Sequence, residues 1–230
     1  MSGRLAIIPA RGGSKRLPRK NVLPFLGRPM IVHTIEQARE SGCFERVVVS
    51  TEDEEIGAIA RQAGAELHAR PERLAGDTAT VVEVCLEVLR CEEERGRSYE
   101  VFACLYATAP LRSAGDIAAV VALVDDTHPF ALAATTYALA PHQALRVTTD
   151  GTLLPMWTDL VNLRASELGP LVVDNGSTYA ARVGEFRTAR SFYGPGLRGH
   201  VMPRQRSVDI DEPADYELAC WYASRAGREP

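Results

Sequence analysis

The densest chemistry in the chain lies near its start. Pro9-Ala10-Arg11-Gly12-Gly13-Ser14-Lys15-Arg16-Leu17-Pro18-Arg19-Lys20-Asn21 carries five basic side chains in one short stretch, with two adjacent glycines among them. Adjacent glycines let backbone N–H groups approach an anion closely, and cations packed this tightly repel one another unless something negative lies between them. A nucleoside triphosphate is a ligand of that kind. A solvated basic turn is the alternative, and composition alone leaves it open. The spacing matches neither a Walker phosphate loop nor the GxGxxG of dinucleotide sites, so both of those chemistries lose support. The second pattern is Ser207-Val208-Asp209-Ile210-Asp211. Residues two apart in a strand share a side, so a strand here would present Asp209 and Asp211 in one direction and turn Val208 and Ile210 to the core. Paired carboxylates are hard oxygen ligands of the sort Mg²⁺ prefers, and such an ion also carries phosphate oxygens. Asp211 could equally cap a helix starting at Pro213.

Both patterns need elements that bring them together. Leu5 to Ile8 is a short apolar run that ends at Pro9 and opens into the basic stretch, which makes it a buried strand followed by a long loop. Apolar spacing after Pro29 predicts a helix from Met30 to near Gly42, and Val47 to Val49 the next strand. Thr51-Glu52-Asp53-Glu54 fits a capping box for a helix closed by Gly64. The alternation continues with a strand near Glu66 to His68, a helix from about Thr80 to Cys91 and a strand at Val101 to Leu105. A helix at Asp116 to Asp125 and a strand at Phe130 to Ala134 follow. Such alternation implies right-handed crossovers and an α/β fold of three layers, a mostly parallel sheet with helices on both faces. Between about 137 and 170, Pro141, Gly151, Pro155 and Gly169 interrupt the pattern, which reads as a small inserted hairpin or arm in a single domain spanning 1–230. Strands near Ser177 to Ala181 and Val208 to Ile210, a short helix at Val183 to Ala189 and a last helix from Pro213 complete the reading.

Composition limits the classes of function. The 230 residues are 46% hydrophobic and 24% charged, ordinary for a globular domain, and the net charge of -4 provides no global field to gather nucleic acid or an anionic membrane. No apolar run approaches a membrane span or a signal segment, so the expectation is a soluble, cytoplasmic protein. Five cysteines without a CxxC pair argue against a disulfide framework, and five scattered histidines show no metal spacing.

Several segments taken together resemble one family, the nucleotidyltransferases that make CMP-activated nonulosonic acids, such as the CMP-sialate and pseudaminate cytidylyltransferases. They are ARGGSKRLPRKN, VVVSTEDEEI, RPERLAGDTAT, YATAPLR (Tyr106 to Arg112), DNGSTY (Asp174 to Tyr179) and SVDIDEPADYE, and they cover nearly the whole chain in the family's order. The resemblance implies a nucleotidyltransferase-type fold whose first loop holds CTP phosphates. Nucleotide binding then falls to Arg11, Gly12, Gly13, Ser14, Lys15, Lys20 and Asn21, with Arg70 near the cytosine, Thr80 where the chain wraps the base, and Tyr106. It places Mg²⁺ on Asp209 and Asp211. Catalytic work falls to Arg11, Lys15, Lys20, Asp209 and Asp211, which would position CTP and offset charge while the anomeric hydroxyl of a nine-carbon keto sugar acid attacks the α-phosphorus. That acceptor carries a carboxylate, so Gln143, Arg164 and Asn175 are its candidate binding residues. Met156, Trp157 and Leu160 of the arm could stack on a sugar or pack on a partner subunit, and the resemblance implies the second, a homodimer joined through the insertion.

The match has departures. Tyr106 stands where sialate enzymes usually have glutamine, a feature of the pseudaminate type, whereas Asp174-Asn175-Gly176-Ser177 looks like the sialate type. Pseudaminic acid is the favoured acceptor, with legionaminic and N-acetylneuraminic acids possible. Rival readings are a nucleotidyltransferase for an eight-carbon keto acid, a sugar phosphate or a phosphonate, and a nucleotide-binding module without activity.

Overall fold

A computed structural model describes residues 3–225. The chain runs β1 (Gly3–Pro9), β2 (Pro24–Phe25), β3 (Arg28–Pro29), α1 (Met30–Glu40), β4 (Arg46–Thr51), α2 (Glu54–Gln62), β5 (Glu66–Ala69), α3 (Val81–Glu94), β6 (Tyr99–Leu105), α4 (Ala114–Ala122) and β7 (Phe130–Thr136). It continues through β8 (Leu145–Val147), β9 (Leu153–Pro155), β10 (Val172–Arg182), α5 (Val183–Ala189), β11 (Arg198–Val201) and α6 (Pro213–Ala223). Seven strands form the main sheet in the order β11-β7-β10-β6-β1-β4-β5. β1 pairs in parallel with both β4 and β6, and only β10 runs against its neighbours.

Alternation along the central strand divides the core. Ala6 and Ile8 face the layer of α1, α2 and α4, where Ile31, Ile35, Ile56 and Ile117 pack. Leu5 and Ile7 face the layer of α3 and α5, with Val88, Phe102, Phe186 and Phe192. This is the expected three-layer arrangement: a strand buried on both faces reads as a continuous apolar run.

Three local expectations are corrected. The strand proposed at Val208 to Ile210 is not one; the nearest regular strand is β11, an edge strand further back that sequence reading missed. Val208 and Ile210 are buried all the same, against Phe25, Met30 and Ala219 beneath α6, so the apolar alternation arises from docking on a helix. The capping box expected from Thr51 does not form, and the helix cap sits two residues later. Asp53 is the N-cap of α2 and accepts from the Ile56 N–H, while Thr51 ends β4. β10 begins at Val172, five residues before the expected strand, and carries a bulge between Asp174 and Tyr179. The arm does contain a hairpin, β8 with β9.

An ionic cluster around the buried Asp116 fastens the segment leading to Asp209. Asp116 closes a capping box with Ser113 at the start of α4 and accepts from Arg206 at 2.8 and 3.0 Å, with the His200 Nε2 at 3.1 Å. Burial opposes its charge, yet the hydrogen bonds from Arg206, Ser113 and His200 outweigh it, and the carboxyl is held well below the usual range. A carboxyl with a depressed folded value stabilises the fold above its unfolded value of about 4, and that contribution is lost as pH falls further. Asp116→Asn is therefore expected to lower stability at pH 7 by about 1–3 kcal/mol, the worth of hydrogen bonds to a charged group. The gap to the parent should narrow below about pH 4. Urea unfolding from pH 7 to 3 measures this, and no gap at pH 7 would show that the cluster carries no stability.

Candidate functional site

In an open α/β sheet, ligands bind beyond the carboxyl ends of the strands where neighbouring connections diverge. β1 is such a place, since β4 lies on one side and β6 on the other. A cavity of about 300 Å³ opens there, lined among others by Arg11, Lys20, Asn21, Arg70, Asp77 and Tyr106.

The basic loop is held by carboxylates from three other segments. Arg11 donates to Asp77 at 2.7 Å and Lys15 pairs with the same carboxylate at 2.5 Å. Lys20 and Arg16 meet the two oxygens of Asp211 at 2.6 and 2.5 Å. Arg19, in the left-handed region at φ 58°, donates to Asp53 and Glu55. The Gly12 N–H donates to Glu52 at 2.7 Å, and a Cβ at Gly12 would lie 2.5 Å from the Asp53 carboxylate, so glycine is required for this close approach. Asn21 is buried and donates to the Arg11 carbonyl at 2.8 Å, which fixes the loop's turn. Among the described residues the buried Ser14 hydroxyl has no hydrogen-bond partner, and a Cβ at Gly13 would meet nothing within 4 Å. Arg70 is 7% exposed and donates to the Ser50 carbonyl at 2.7 Å, so its guanidinium is fixed in the cavity wall.

Asp209 stands behind that wall. Its Oδ1 accepts from the Thr108 hydroxyl at 2.5 Å, and the Ile210 N–H donates to the Thr108 carbonyl at 2.8 Å. Thr108 lines the first cavity, while Asp209 lines a second one of about 290 Å³ with Arg204, Ser207, Asp215 and Tyr222. Burial raises the Asp209 carboxyl above the usual range; Thr108 pulls it down and the Asp211 charge pushes it up. For Asp211, burial also opposes the charge, but Lys20 and Arg16 outweigh it and hold that carboxyl low. Asp211 does not cap α6. Glu212 is the N-cap residue, and Asp215 in the first turn reaches back to the N–H groups of Asp211 and Glu212 at 3.0 and 2.9 Å. Two neighbouring carboxylates, one of them buried with Oδ2 unmatched by a donor among the described residues, fit a hard divalent cation.

The remaining site candidates scatter. Thr80 lies between two cavity-lining residues, but its hydroxyl serves as the N-cap of α3 in a box with Glu83. Asn175 is 7% exposed, with its amide spent on Ser207 Oγ at 3.1 Å, Met202 Sδ and the Ser177 N–H, so it braces the bulge and offers no free group to an acceptor. Gln143 and Arg164 are exposed on the arm and line neither cavity. Sequence reading passed over Glu52, Asp77, Thr108 and Gly176. All four stood inside segments already singled out, but nothing in their own types marked them for the site.

Comparison with known proteins adds to this geometry. The profile of the family described as cytidylyltransferase matches residues 5–146, more than half of the chain. The chain belongs to the cytidylyltransferase family. Among its relatives, the N-acylneuraminate cytidylyltransferase of Escherichia coli is 33% identical over 98% of this chain, which spans 53% of that longer protein. The pseudaminic acid cytidylyltransferase of Campylobacter jejuni is 33% identical over 94% of both chains. The CMP-N,N'-diacetyllegionaminic acid synthase of Legionella pneumophila is 33% identical over 93% of both. In fold, the chain is similar to a CMP:2-keto-3-deoxy-manno-octonic acid synthetase, with a TM-score of 0.73 at 21% identity, covering 98% of this chain and 100% of that one. For this cytidylyltransferase the seven-strand sheet is thus the family's nucleotidyltransferase-like fold.

One glycine joins the bulge of β10 to the carboxylates. Gly176 has φ 69°, and a Cβ there would lie 2.8 Å from the Asp209 Oδ2. Gly176→Ala combines a left-handed backbone with this collision, so it should cost about 1–2 kcal/mol of stability and displace Asp209. Thermal unfolding and crystallography of the variant test this; an unmoved Asp209 in a fully stable variant would refute the close approach.

Proposed function

We propose that the chain transfers CMP from CTP to the anomeric hydroxyl of a nine-carbon keto sugar acid and releases pyrophosphate. Pseudaminic acid is the favoured acceptor, and legionaminic and N-acetylneuraminic acids belong to the same class. The observation that carries this reading is the meeting of the basic loop with Asp211 and the Thr108–Asp209 pair at the carboxyl edge of the sheet. The acceptors named for the relatives support the choice of acceptor class.

The acceptor oxygen forms a bond to the α-phosphorus as the bond to the pyrophosphate oxygen breaks. Positioning and charge neutralisation are the main tasks. Arg11, Lys15 and Lys20 would face charge building on the leaving pyrophosphate, an effect worth several kcal/mol in a water-poor cleft. Arg11 and Lys15 must trade Asp77 for phosphate, an exchange that costs little because these ion pairs are solvent-exposed. Ser14 supplies a free hydroxyl to the same oxygens. Asp209 and Asp211 would hold Mg²⁺, which when bound supplies positive charge to phosphate oxygens.

The arm supports a homodimer. Leu139 is 85% exposed, and Val147, Leu153, Leu154 and Trp157 add to an apolar surface that a second copy would cover. Gln143 and Arg164 would then approach the acceptor from the partner side. Among the described residues no helix is long and apolar enough to cross a membrane, and the proposed setting is the cytoplasm, where CTP is made available.

Incubation with Mg²⁺, each NTP and a panel of nonulosonic acids, an eight-carbon keto acid, a sugar phosphate and a phosphonate tests the reaction. Pyrophosphate and a CMP-sugar with CTP and one nonulosonate alone are expected; product with another acceptor moves the substrate class, and binding of CTP without product favours an inactive module. Asp211→Ala should cut turnover by about 100-fold or more, on the order of a lost charge-stabilising contact, with the unfolding midpoint near the parent's. Full activity would refute the metal assignment. Leu139→Lys with Val147→Lys should convert a dimer to a monomer in analytical ultracentrifugation, and an unchanged dimer would place the interface elsewhere.

A further inference from the structure

Arg112 is 1% exposed and among the largest fully buried side chains. A guanidinium removed from water is ordinarily met by a carboxylate, because an unpaired buried charge is costly. Arg112 has none at ion-pair distance among the described residues. Its two terminal nitrogens donate to the Ser177 carbonyl at 2.5 Å and to Thr34 Oγ1 at 2.8 Å, and its buried Nε has no partner among the described residues. Burial lowers its pKa to about 10, so it remains a cation at neutral pH.

Both acceptors lead to the backbone of the same residue. The Ser177 carbonyl also accepts from the Tyr106 N–H at 3.0 Å, and Thr34 Oγ1 donates to the Tyr106 carbonyl at 3.4 Å. Tyr106 lines the nucleotide cavity, and two residues later Thr108 grips Asp209 with its hydroxyl and the next peptide with its carbonyl. Ser177 belongs to the bulge whose Gly176 leaves room for the other Asp209 oxygen, since a Cβ there would lie 2.8 Å from it. Arg112 is therefore the fixed point from which both supports of Asp209 depart. An apolar side chain would fill the same volume but could hold neither atom.

We propose that Arg112 is a positioning residue that clamps the Tyr106 peptide to the β10 bulge and so sets where Asp209 stands relative to the nucleotide cavity. The proposal rests on the cytidylyltransferase reading given above. A displacement of about 1 Å at a reacting centre costs on the order of 100-fold in rate, so the clamp should appear in kcat more than in nucleotide affinity. Its positive charge, whose field reaches Asp209 and Asp116, is retained for the geometry of a fork that lysine cannot reproduce.

The test uses the full chain with Arg112→Met, Arg112→Lys and Thr34→Val. Urea unfolding comes first, then CTP binding by calorimetry with Mg²⁺, then kcat and KM with the acceptor that the parent uses. The expected result is folded Arg112→Met protein that binds CTP within about threefold of the parent and turns over about 100-fold more slowly. Arg112→Lys should recover part of kcat, and Thr34→Val, which keeps the charge and removes the shared hydroxyl, should lose roughly tenfold, about one hydrogen bond. Arg112→Met or Arg112→Lys with parental kcat overturns the proposal. So does a loss in Arg112→Met matched by equal losses in stability and CTP binding with no recovery in lysine, because that describes a scaffold residue only. If Arg112→Met fails to fold, Arg112→Lys and Thr34→Val decide by the same criteria. If the parent turns over no acceptor, the functional reading fails by itself, and Arg112 is then judged by whether Mg²⁺ strengthens CTP binding in the parent and not in Arg112→Met; equal strengthening in both overturns it.

Discussion

Mutual repulsion among the cations of the first loop is the constraint on which the rest of this structure depends. Arg11, Lys15, Arg16, Arg19 and Lys20 cannot share a short loop in water without compensation, and the fold answers with carboxylates from three separate places: Glu52 with Asp53 and Glu55, Asp77, and Asp211. Those carboxylates come from the turn between β4 and α2 together with the first turn of α2, from the segment before α3, and from the segment before α6. Parts of the chain up to 195 positions apart are therefore drawn to one spot. Exposed pairs of this kind are individually weak, which suits a site that must exchange them for a ligand.

The sheet makes that convergence possible without long connections. β4, β6, β7 and β11 all point the same way as β1, so the segment after each of them emerges at the same edge. Thr108 comes after β6 and Asp209 after β11, and they meet by hydrogen bond across 101 positions. Arg206, held by Asp116 of α4, fixes the entry of the Asp209 segment.

Much of this was legible in the sequence, for physical reasons that differ by segment. β1, α1, α3 and β6 declared themselves through buried apolar runs and helical spacing, and the basic loop through charge density. β11 did not, because Arg198-Gly199-His200-Val201 is a short edge strand with no buried alternation to betray it. The Val208–Ile210 alternation misled for the converse reason: two apolar residues docked on a helix look like a strand when the third dimension is absent. Asn175-Gly176 falls before the strand expected from Ser177, and the structure uses it as a bulge inside a strand. Glu52, Asp77 and Thr108 are types found on any surface, so only coordinates could show what they hold. Asn175 was placed at the acceptor by position in a motif, whereas its amide is committed to the protein interior.

β10 alone runs against the other strands of the sheet. A strand that runs backwards presents its first residues, not its last, at the edge where its neighbours end. The chain leaves that edge at Thr136, makes the arm, and returns to the same edge at Val172, so both feet of the insertion stand on the rim of the site. Lengthening, shortening or rewriting the arm therefore alters the doorway and leaves the walls alone. A lineage could exchange one acceptor sugar for another there while the machinery for the nucleotide stayed as it was.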